Sequence, residues 1–163
     1  MKVIDIKDIE GVSIGQTENK EAGTGCTVVL CRDGARAGID VRGGGPASRD
    51  TRILDPLMAA QQIHAVVLAG GSAFGLGAAD GVMRLLEERG IGFDVGVTKV
   101  PLVPQSDIFD LTDGDSIYAL SVGSVKADPD VIGALAAEVV SMAIIDAVQS
   151  AESAYGFPAA KDL

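Results

Sequence analysis

One segment constrains the fold more than any other, because a short apolar run passes directly into a glycine turn and then into a helical pattern. Residues 65–69 (AVVLA) form a continuous apolar run, typical of a strand covered on both faces. The sequence after it, GGSAFGLGAADGVMRLLEERG, predicts a helix from about Ser72 to Arg89, with Ser72 as N-cap and Gly90 as C-terminal glycine. Small residues on one side of this helix favour close packing on a sheet. The segment therefore predicts an α/β fold.

Further elements are expected on both sides of this segment. The chain of 163 residues, 47% of them hydrophobic, is long enough for one domain with a core of aliphatic side chains. The pattern predicts strands over residues 26–31 and 35–41 with a hairpin turn at Asp33-Gly34, a short helix over 52–62, strands over 95–103 and 117–125, and a long helix from 131 to about 153.

Charge and chain start exclude some classes of function. The chain has 23 acidic and 13 basic residues, giving a net charge of −10, so a nucleic-acid-binding surface is not expected. The first residues, MKVIDIKDIEG, lack the apolar run of a secretory signal. We therefore expect a cytoplasmic protein that does not bind nucleic acid.

Cys26, Cys31 and His64 are the residues that favour redox or metal chemistry most directly. A strand places the two cysteines on opposite faces, so we expect buried reduced thiols, with a reactive cysteine as the alternative. A single histidine gives no ligand cluster, so no metal is expected. His64 leads into a buried strand, which favours a structural role over that of a base.

The apolar run of residues 131–148 has the length of a membrane span. Glu138 falls at its centre and Asp146 near its end, and each acid costs about 2.5–3.5 kcal/mol at mid-bilayer. A core helix is therefore expected in place of a membrane span.

The glycine turn is the first candidate site. Gly70, Gly71, Ser72 and Phe74 follow a strand at a helix start, where free N–H groups bind an oxyanion, a carboxylate or a phosphate. The spacing matches neither a P-loop nor the G-x-S-x-G elbow. The alternative is a tight turn without a ligand.

Two further groups of charged residues are candidate sites. Asp113 and Asp115, separated by a glycine, form a carboxylate pair that orients an amine or activates a nucleophile, or else an acidic turn before a strand. The residues around the glycine loop GGGPASRD bind an acidic group or form solvated ion pairs: Asp40, Arg42, Arg49 and Arg52.

Several of these strings together resemble one family. The strings occur in the order and spacing of the L-aminopeptidase/D-esterase (DmpA-like) family, which includes β-aminopeptidases and nylon-oligomer hydrolases. The resemblance covers nearly the whole chain and rests on GVSIGQTEN, TGCTVVLC, AGIDVRGGGP, HAVVLAGGSAFGLGAADGVMRLLEERGIGFDVG, VPLVPQSDIFDL, DGDSIYALSVGSV, DVIGALAAEVV and AESAYGFPAAKDL.

The resemblance implies an αββα sandwich similar to that of the N-terminal-nucleophile hydrolases. Members of the family cut themselves before a Ser or Thr, whose amine then serves as the base for its own hydroxyl during amide hydrolysis. Such a hydrolase needs no cofactor, acts on peptides or peptide-like oligomers, and assembles into homo-oligomers.

The sequence departs from the family at one seam. In the family a long middle stretch with the cleavage site separates the parts matching residues 1–111 and 112–163, whereas here Leu111 is followed directly by Thr112. Thr112 is a weak substitute nucleophile. By resemblance, Asp113 and Asp115 are assisting acids, and Gly70 to Phe74 lie near the substrate cleft. The sequence thus predicts a family member inactive by itself, or a non-catalytic oligomerising or ligand-holding remnant of the fold.

Overall fold

The structure is a computed structural model that describes residues 4–108 and 114–163, with the backbone alone at residues 114 and 115. The chain divides into two compact units, Met1–Gly123 and Ser124–Leu163. The predicted seam at Leu111 and Thr112 lies outside the described residues. The assignment of residues 1–163 to one domain stays a prediction.

The first unit is built on a mixed sheet. Its main path runs β1-β2-β4-β7-β3, in which only β4 and β7 are parallel, and β8 pairs separately with β2. A small hairpin of β5 and β6 stands apart. The strands are β1 Ser13–Asn19, β2 Thr24–Gly43, β3 Ala47–Arg49, β4 Ile63–Ala69, β5 Phe93–Asp94, β6 Lys99–Val100, β7 Gln105–Asp107 and β8 Gly114–Ser121.

β2 replaces the hairpin predicted at Asp33-Gly34, and that prediction is wrong. The strand continues through this point, with an irregularity in its pairing to β4 between Leu30 and Ala35. Gly34, at φ +82°, supplies the left-handed residue of a bulge instead of a turn. The halves of β2 do not fold back on each other because each has other partners, β1 and β4 for the first and β8 for the second.

The helix predicted from Ser72 to Arg89 is two helices. α1 spans Ser72–Gly75 and α2 spans Ala78–Glu88. Gly71, not Ser72, is the N-cap of α1, and Ser72 itself has a positive φ of 56°. The predicted end is confirmed, since Gly90 follows the C-cap at φ +65° and its N–H donates to the Glu87 carbonyl.

The core lies between α2 and one face of the sheet. Alternate residues of β4 point to this face, and they pack with Leu86 of α2 and with Val103. The buried cluster consists of Ala65, Val67, Ala69, Ala79, Leu86 and Val103, joined at its edge by half-buried residues such as Cys26 and Val28. Small side chains on both elements bring the helix close to the sheet, as the sequence predicts.

A two-stranded ribbon, made of the second half of β2 and β8, reaches the other face of the sheet. The Ser106 Oγ of β7 and the Tyr118 hydroxyl of β8 are 2.6 Å apart and share a hydrogen bond. Gln105 and Asp107 point towards the helices, so the residue between them points away from α2. Tyr118 therefore places the ribbon over the face that α2 leaves free.

Three predicted elements differ in extent from those observed. In place of a helix over 52–62, a 3-10 helix covers Thr51–Leu54, because the residue before Pro56 is extended. In place of a strand over 95–103, only β6 forms, before Pro101 and Pro104. β8 begins and ends earlier than the predicted 117–125.

The second unit contains one long helix, α3, spanning Pro129–Ser150. Its N-cap is Asp128, whose carboxylate accepts a hydrogen bond from the Asp130 N–H at 2.9 Å. The expectation of a core helix is wrong for this structure, since no α3 residue is buried. A 3-10 helix at Ala160–Asp162 ends the chain.

By length and composition, α3 also qualifies as a membrane span. It has 22 residues, and its most apolar window has a mean hydropathy of 2.0. The two acids that argue against a span, Glu138 and Asp146, are exposed in it. Among the described residues it is the one helix with this length and hydropathy.

The structure confirms an α/β fold with a mixed sheet and a packed helix. The finer expectation of an αββα sandwich stays a prediction. What positions the candidate site is the junction where β4 ends, α1 begins and β7 runs alongside.

Candidate functional site

The glycine turn joins β4 to α1 and is fixed by hydrogen bonds from three directions. The Gly70 N–H donates to the Gly25 carbonyl of β2 at 2.9 Å. The Ser72 N–H donates to the Ile108 carbonyl after β7 at 3.1 Å, and the Ile108 N–H donates to the Ala69 carbonyl at 2.9 Å. The predicted site residues of this turn therefore lie together in one anchored loop.

Two glycines of this turn are required by close approach. A Cβ on Gly70 would collide with the Thr24 hydroxyl, and a Cβ on Gly75 would collide with the Gly70 carbonyl oxygen. Gly71, at φ +96°, adopts a conformation that other residues rarely adopt. These contacts are why three glycines are needed within six residues.

Phe74 is held outside this close packing. Its side chain is 97% exposed. An exposed aromatic ring beside an anchored glycine turn provides an apolar contact surface. The position agrees with the predicted role in substrate binding but does not test it.

Gln105 of β7 joins the two helices to the sheet. Its Nε2 donates to the Gly75 carbonyl at 2.8 Å, and its Oε1 accepts from the Ala79 N–H at 2.8 Å. The side chain is fully buried. Because one amide satisfies the end of α1 and the start of α2, Gln105 fixes the break between them.

Asp107 lies on the same face of β7 as Gln105 and hydrogen-bonds to it. Its Oδ1 accepts a hydrogen bond from the Gln105 Nε2 at 2.6 Å, and its side chain is 6% exposed. Within the described residues Oδ2 has no hydrogen-bond partner. Burial raises the pKa of Asp107 above its usual range, and the Gln105 hydrogen bond opposes this only in part.

Cys26 and Cys31 are free thiols. Burial raises the pKa of both, and for Cys26 the nearby Asp107 carboxylate raises the pKa further. A raised thiol pKa disfavours the nucleophilic thiolate. The two side chains therefore fit the expected structural role better than the reactive alternative.

His64 is also held as a structural residue. Its Nδ1 accepts a hydrogen bond from the Leu102 backbone N–H at 3.1 Å, and the backbone N–H of His64 donates to the Leu102 carbonyl at 2.9 Å. Burial lowers the pKa of His64. Among the described hydroxyl groups none hydrogen-bonds to this imidazole, so it activates no serine or threonine there.

Three of the four charged residues around the glycine loop form ion pairs, and among the described residues none is formed by Arg52. Arg42 bonds Asp40 through Nε at 2.8 Å, and both side chains are exposed. Arg49 pairs with Asp80 at 2.6 Å and donates to the Leu76 carbonyl at 3.1 Å. Arg49 thus ties β3 to the break between α1 and α2.

The predicted carboxylate pair is only partly visible. Thr112 and Asp113 lie outside the described residues, and for Asp115 only the backbone is described, opposite Arg42 in the register of β2 and β8. Tyr118, three residues further on, contacts β7 through Ser106.

Comparison with known proteins identifies the family. Residues 5–119 match peptidase family S58. This segment includes the sheet, the glycine turn, both short helices and the start of β8. The chain belongs to peptidase family S58. The resemblance to the DmpA-like family is thereby confirmed.

The S58 chain is similar to several curated relatives. It is 48% identical over 120 residues to an uncharacterized aminopeptidase of Mycobacterium leprae. The alignment covers 68% of this chain and 33% of the relative. It is 46% identical over 119 residues to an uncharacterized aminopeptidase of Mycobacterium bovis, covering 67% and 34%. It is 35% identical over 105 residues to a 6-aminohexanoate-oligomer endohydrolase of Agromyces, covering 64% and 27%.

The S58 chain spans about a third of the length of the curated relatives that it matches. The names of these relatives describe hydrolysis of amide bonds, in peptides or in 6-aminohexanoate oligomers. The family of amide hydrolases is therefore shown, and the activity of this S58 chain is a separate question.

Sequence reasoning missed Gln105 and Asp107 of the S58 chain. The signal was present, because two polar residues spaced by two follow the apolar run PLVP and so fall on one face of a strand. A polar pair on a buried face needs partners, and the broken helix supplies them.

Proposed function

We propose that this chain derives from a self-processing amide hydrolase of family S58 and that it does not hydrolyse amides by itself. The observation that carries the proposal is the family match over residues 5–119, which covers the fold elements around the glycine turn. The family chemistry requires a Ser or Thr freed by self-cleavage. In this sequence Leu111 and Thr112 are adjacent, without the middle stretch that resemblance to the family leads us to expect.

The proposed substrate-binding residues are Gly70, Gly71, Ser72 and Phe74. Among the described residues, the Gly71 N–H has no acceptor, whereas its neighbours donate to Gly25 and Ile108. A free N–H in an anchored loop binds a substrate carbonyl or carboxylate, and the exposed Phe74 ring adds an apolar contact. Asp113 and Asp115 are proposed as assisting acids without a nucleophile to assist.

The proposal is tested by incubating the purified chain with amino-acid p-nitroanilides and with a β-peptide. We expect no turnover above a buffer blank, because binding groups without a nucleophile do not form the covalent intermediate. A matched pair of variants, Thr112→Ala and Thr98→Ala, separates the seam residue from an ordinary loop threonine. Turnover that Thr112→Ala abolishes and Thr98→Ala preserves contradicts the proposal.

Intact mass adds a second, independent measurement. A single species with the mass of the 163-residue chain agrees with the absence of self-cleavage. Two fragments whose masses add up to the chain show that cleavage occurs, and N-terminal sequencing then identifies the nucleophile. That result also contradicts the proposal.

A second candidate is a non-catalytic remnant that forms homo-oligomers. The observation that favours it is α3, which exposes large apolar side chains along its length, including Ile132, Val139, Met142, Ile144 and Val148. Surfaces of this kind are typically covered in an assembly. In either case we propose a cytoplasmic protein that requires no metal or cofactor and does not bind nucleic acid or a membrane.

A further inference from the structure

A cleft at the far end of β4 has no role in the function proposed above. It has a volume of about 220 Å³ and lies between β2, the 3-10 helix at Thr51–Leu54 and the start of β4. Its lining residues are Arg36, Ala37, Ile53, Leu54, Asp55, Pro56 and residues 60–63. The glycine turn follows Ala69, so six residues of strand, or about 20 Å, separate it from the cleft. The cleft is therefore a different site.

The cleft presents one positive and one negative side chain. Arg36 lies on β2 just after the irregularity, and Asp55 follows the 3-10 helix. No ion pair joins the two groups, which are therefore more than 4.0 Å apart. Among the described residues, the Arg36 guanidinium has no hydrogen-bond or ion-pair partner, so it is available to a ligand.

The Asp55 carboxylate is held in place by its own turn. Its Oδ1 accepts a hydrogen bond from the Leu57 N–H at 2.9 Å, and its backbone carbonyl accepts from the Met58 N–H at 2.9 Å. A carboxylate that makes one local hydrogen bond keeps further acceptor capacity. Asp55 is thus a preorganised acceptor for a cation.

The other lining residues determine the size and polarity of the ligand that the cleft can hold. Ile63 is buried at the floor, and Ile53, Leu54 and Pro56 provide apolar wall. The primary amides of Gln61 and Gln62 provide polar groups, and neither forms a hydrogen bond with another described residue. A volume of 220 Å³ is below the range of about 300–1,000 Å³ for drug-sized ligands, so the occupant is smaller.

We propose that this cleft binds a free zwitterionic amino acid with an aliphatic side chain. Arg36 binds the ligand carboxylate, Asp55 binds its ammonium group, and the apolar wall contacts the side chain. A simple anion is disfavoured, because Asp55 faces the same cleft and the chain carries a net charge of −10. A zwitterion has no net charge and satisfies both groups. The inference does not depend on amide hydrolysis.

The test is titration of the ¹⁵N-labelled full chain with L-leucine, followed by amide chemical shifts. We expect saturable shifts at residues 36–37 and 53–63, with a dissociation constant of about 1 mM. Isocaproate and isoamylamine share the apolar tail but carry one charge each, so we expect each to bind about tenfold more weakly. Absence of saturable binding, or isocaproate binding as tightly as leucine, overturns the proposal.

Variants assign the two charged groups. Arg36→Gln and Asp55→Asn each weaken leucine binding about tenfold, and the asparagine keeps an acceptor for the Leu57 N–H. Arg32→Gln is the matched control, because Arg32 is an exposed arginine of the same strand outside the cleft. Unchanged binding in both cleft variants, or an equal loss in the control, overturns the assignment.

Discussion

Asp107 has a buried carboxylate of which, within the described part of the chain, only one oxygen accepts a hydrogen bond. Its raised pKa means that the folded chain binds its proton more tightly than the unfolded chain does. The folded state then loses stability as the pH rises above the unfolded value of 3.8 towards and through the folded pKa. The ionised Asp107 carboxylate therefore lowers the free energy of unfolding at neutral pH.

Asp107→Asn is expected to raise the free energy of unfolding at pH 7 by about 1 kcal/mol. The asparagine carbonyl keeps the acceptor for Gln105 and removes the buried charge. Urea unfolding at pH 4.5 and pH 7 measures the effect, which we expect to grow with pH. An Asp94→Asn variant, at an exposed position of β5, serves as control. A loss of stability at pH 7 would show that the charge has a partner.

His64 gives a pH dependence of the opposite sign. Burial lowers its pKa below 6.5, as does the nearby Lys99, so the folded state favours the neutral imidazole. Its contribution to stability is complete above pH 6.5 and is lost as the pH falls through the folded pKa. His64→Asn, which keeps an acceptor for the Leu102 N–H, should flatten the unfolding free energy between pH 7.5 and pH 5.5. An unchanged slope would contradict this.

At the scale of elements, the break between α1 and α2 separates two glycines that differ in the space available for a side chain. Gly75 has no room for a Cβ, whereas Gly81 has open space there. Gly75 closes α1 against the Gly70 carbonyl, with no room for a Cβ. Gly81 lies within α2, is exposed, and has open space where a Cβ would be. The same substitution therefore tests packing at one position and helix propensity at the other.

Gly75→Ala is expected to lower the free energy of unfolding by about 1–3 kcal/mol, because the added methyl group forces the turn apart. Gly81→Ala is expected to raise it by about 0.5–1 kcal/mol. Thermal and urea unfolding of the two variants measure both changes. If Gly75→Ala leaves the free energy of unfolding unchanged, the backbone of the glycine turn moves easily to make room for the methyl group. That result would contradict the description of the turn as an anchored loop.

At the scale of the whole molecule, the main feature is that α3 is both acidic and apolar. The helix has acids at positions 130, 138 and 146 and no basic residue. Its apolar side chains are exposed along its length. We therefore propose that copies of the chain associate through burial of apolar surface and not through ion pairs between copies of this helix.

Sedimentation velocity tests this expectation. We expect the chain to form oligomers, and Ile144→Lys to shift the distribution towards monomer because it places a charge in apolar surface. Lys161→Gln, outside α3, is the control. A monomer at all concentrations contradicts oligomerisation, and cosedimentation with phosphatidylcholine vesicles favours the membrane alternative.

Local sequence patterns were sufficient where one element governs its own conformation. The apolar run at 65–69 became β4, and Gly90 ended α2 as predicted. Local patterns did not predict where an element ends when a residue far away in the sequence determines that end. β2 continues through Gly34 because β8 pairs with its second half, and α1 ends at Gly75 because Gln105 binds the carbonyl there.

The sequence by itself determined the family, the α/β class and the strand–glycine turn–helix order, because these follow from motif spacing and side-chain period. Only the tertiary structure placed Gln105 and Asp107 beneath the glycine turn and brought Arg36 and Asp55 into one cleft. Gln105 and Gly75 are 30 positions apart along the chain, and Arg36 and Asp55 are 19 apart, so the tertiary fold brings each pair together. Spacing along the sequence records local periodicity, whereas a site depends on which strands pair.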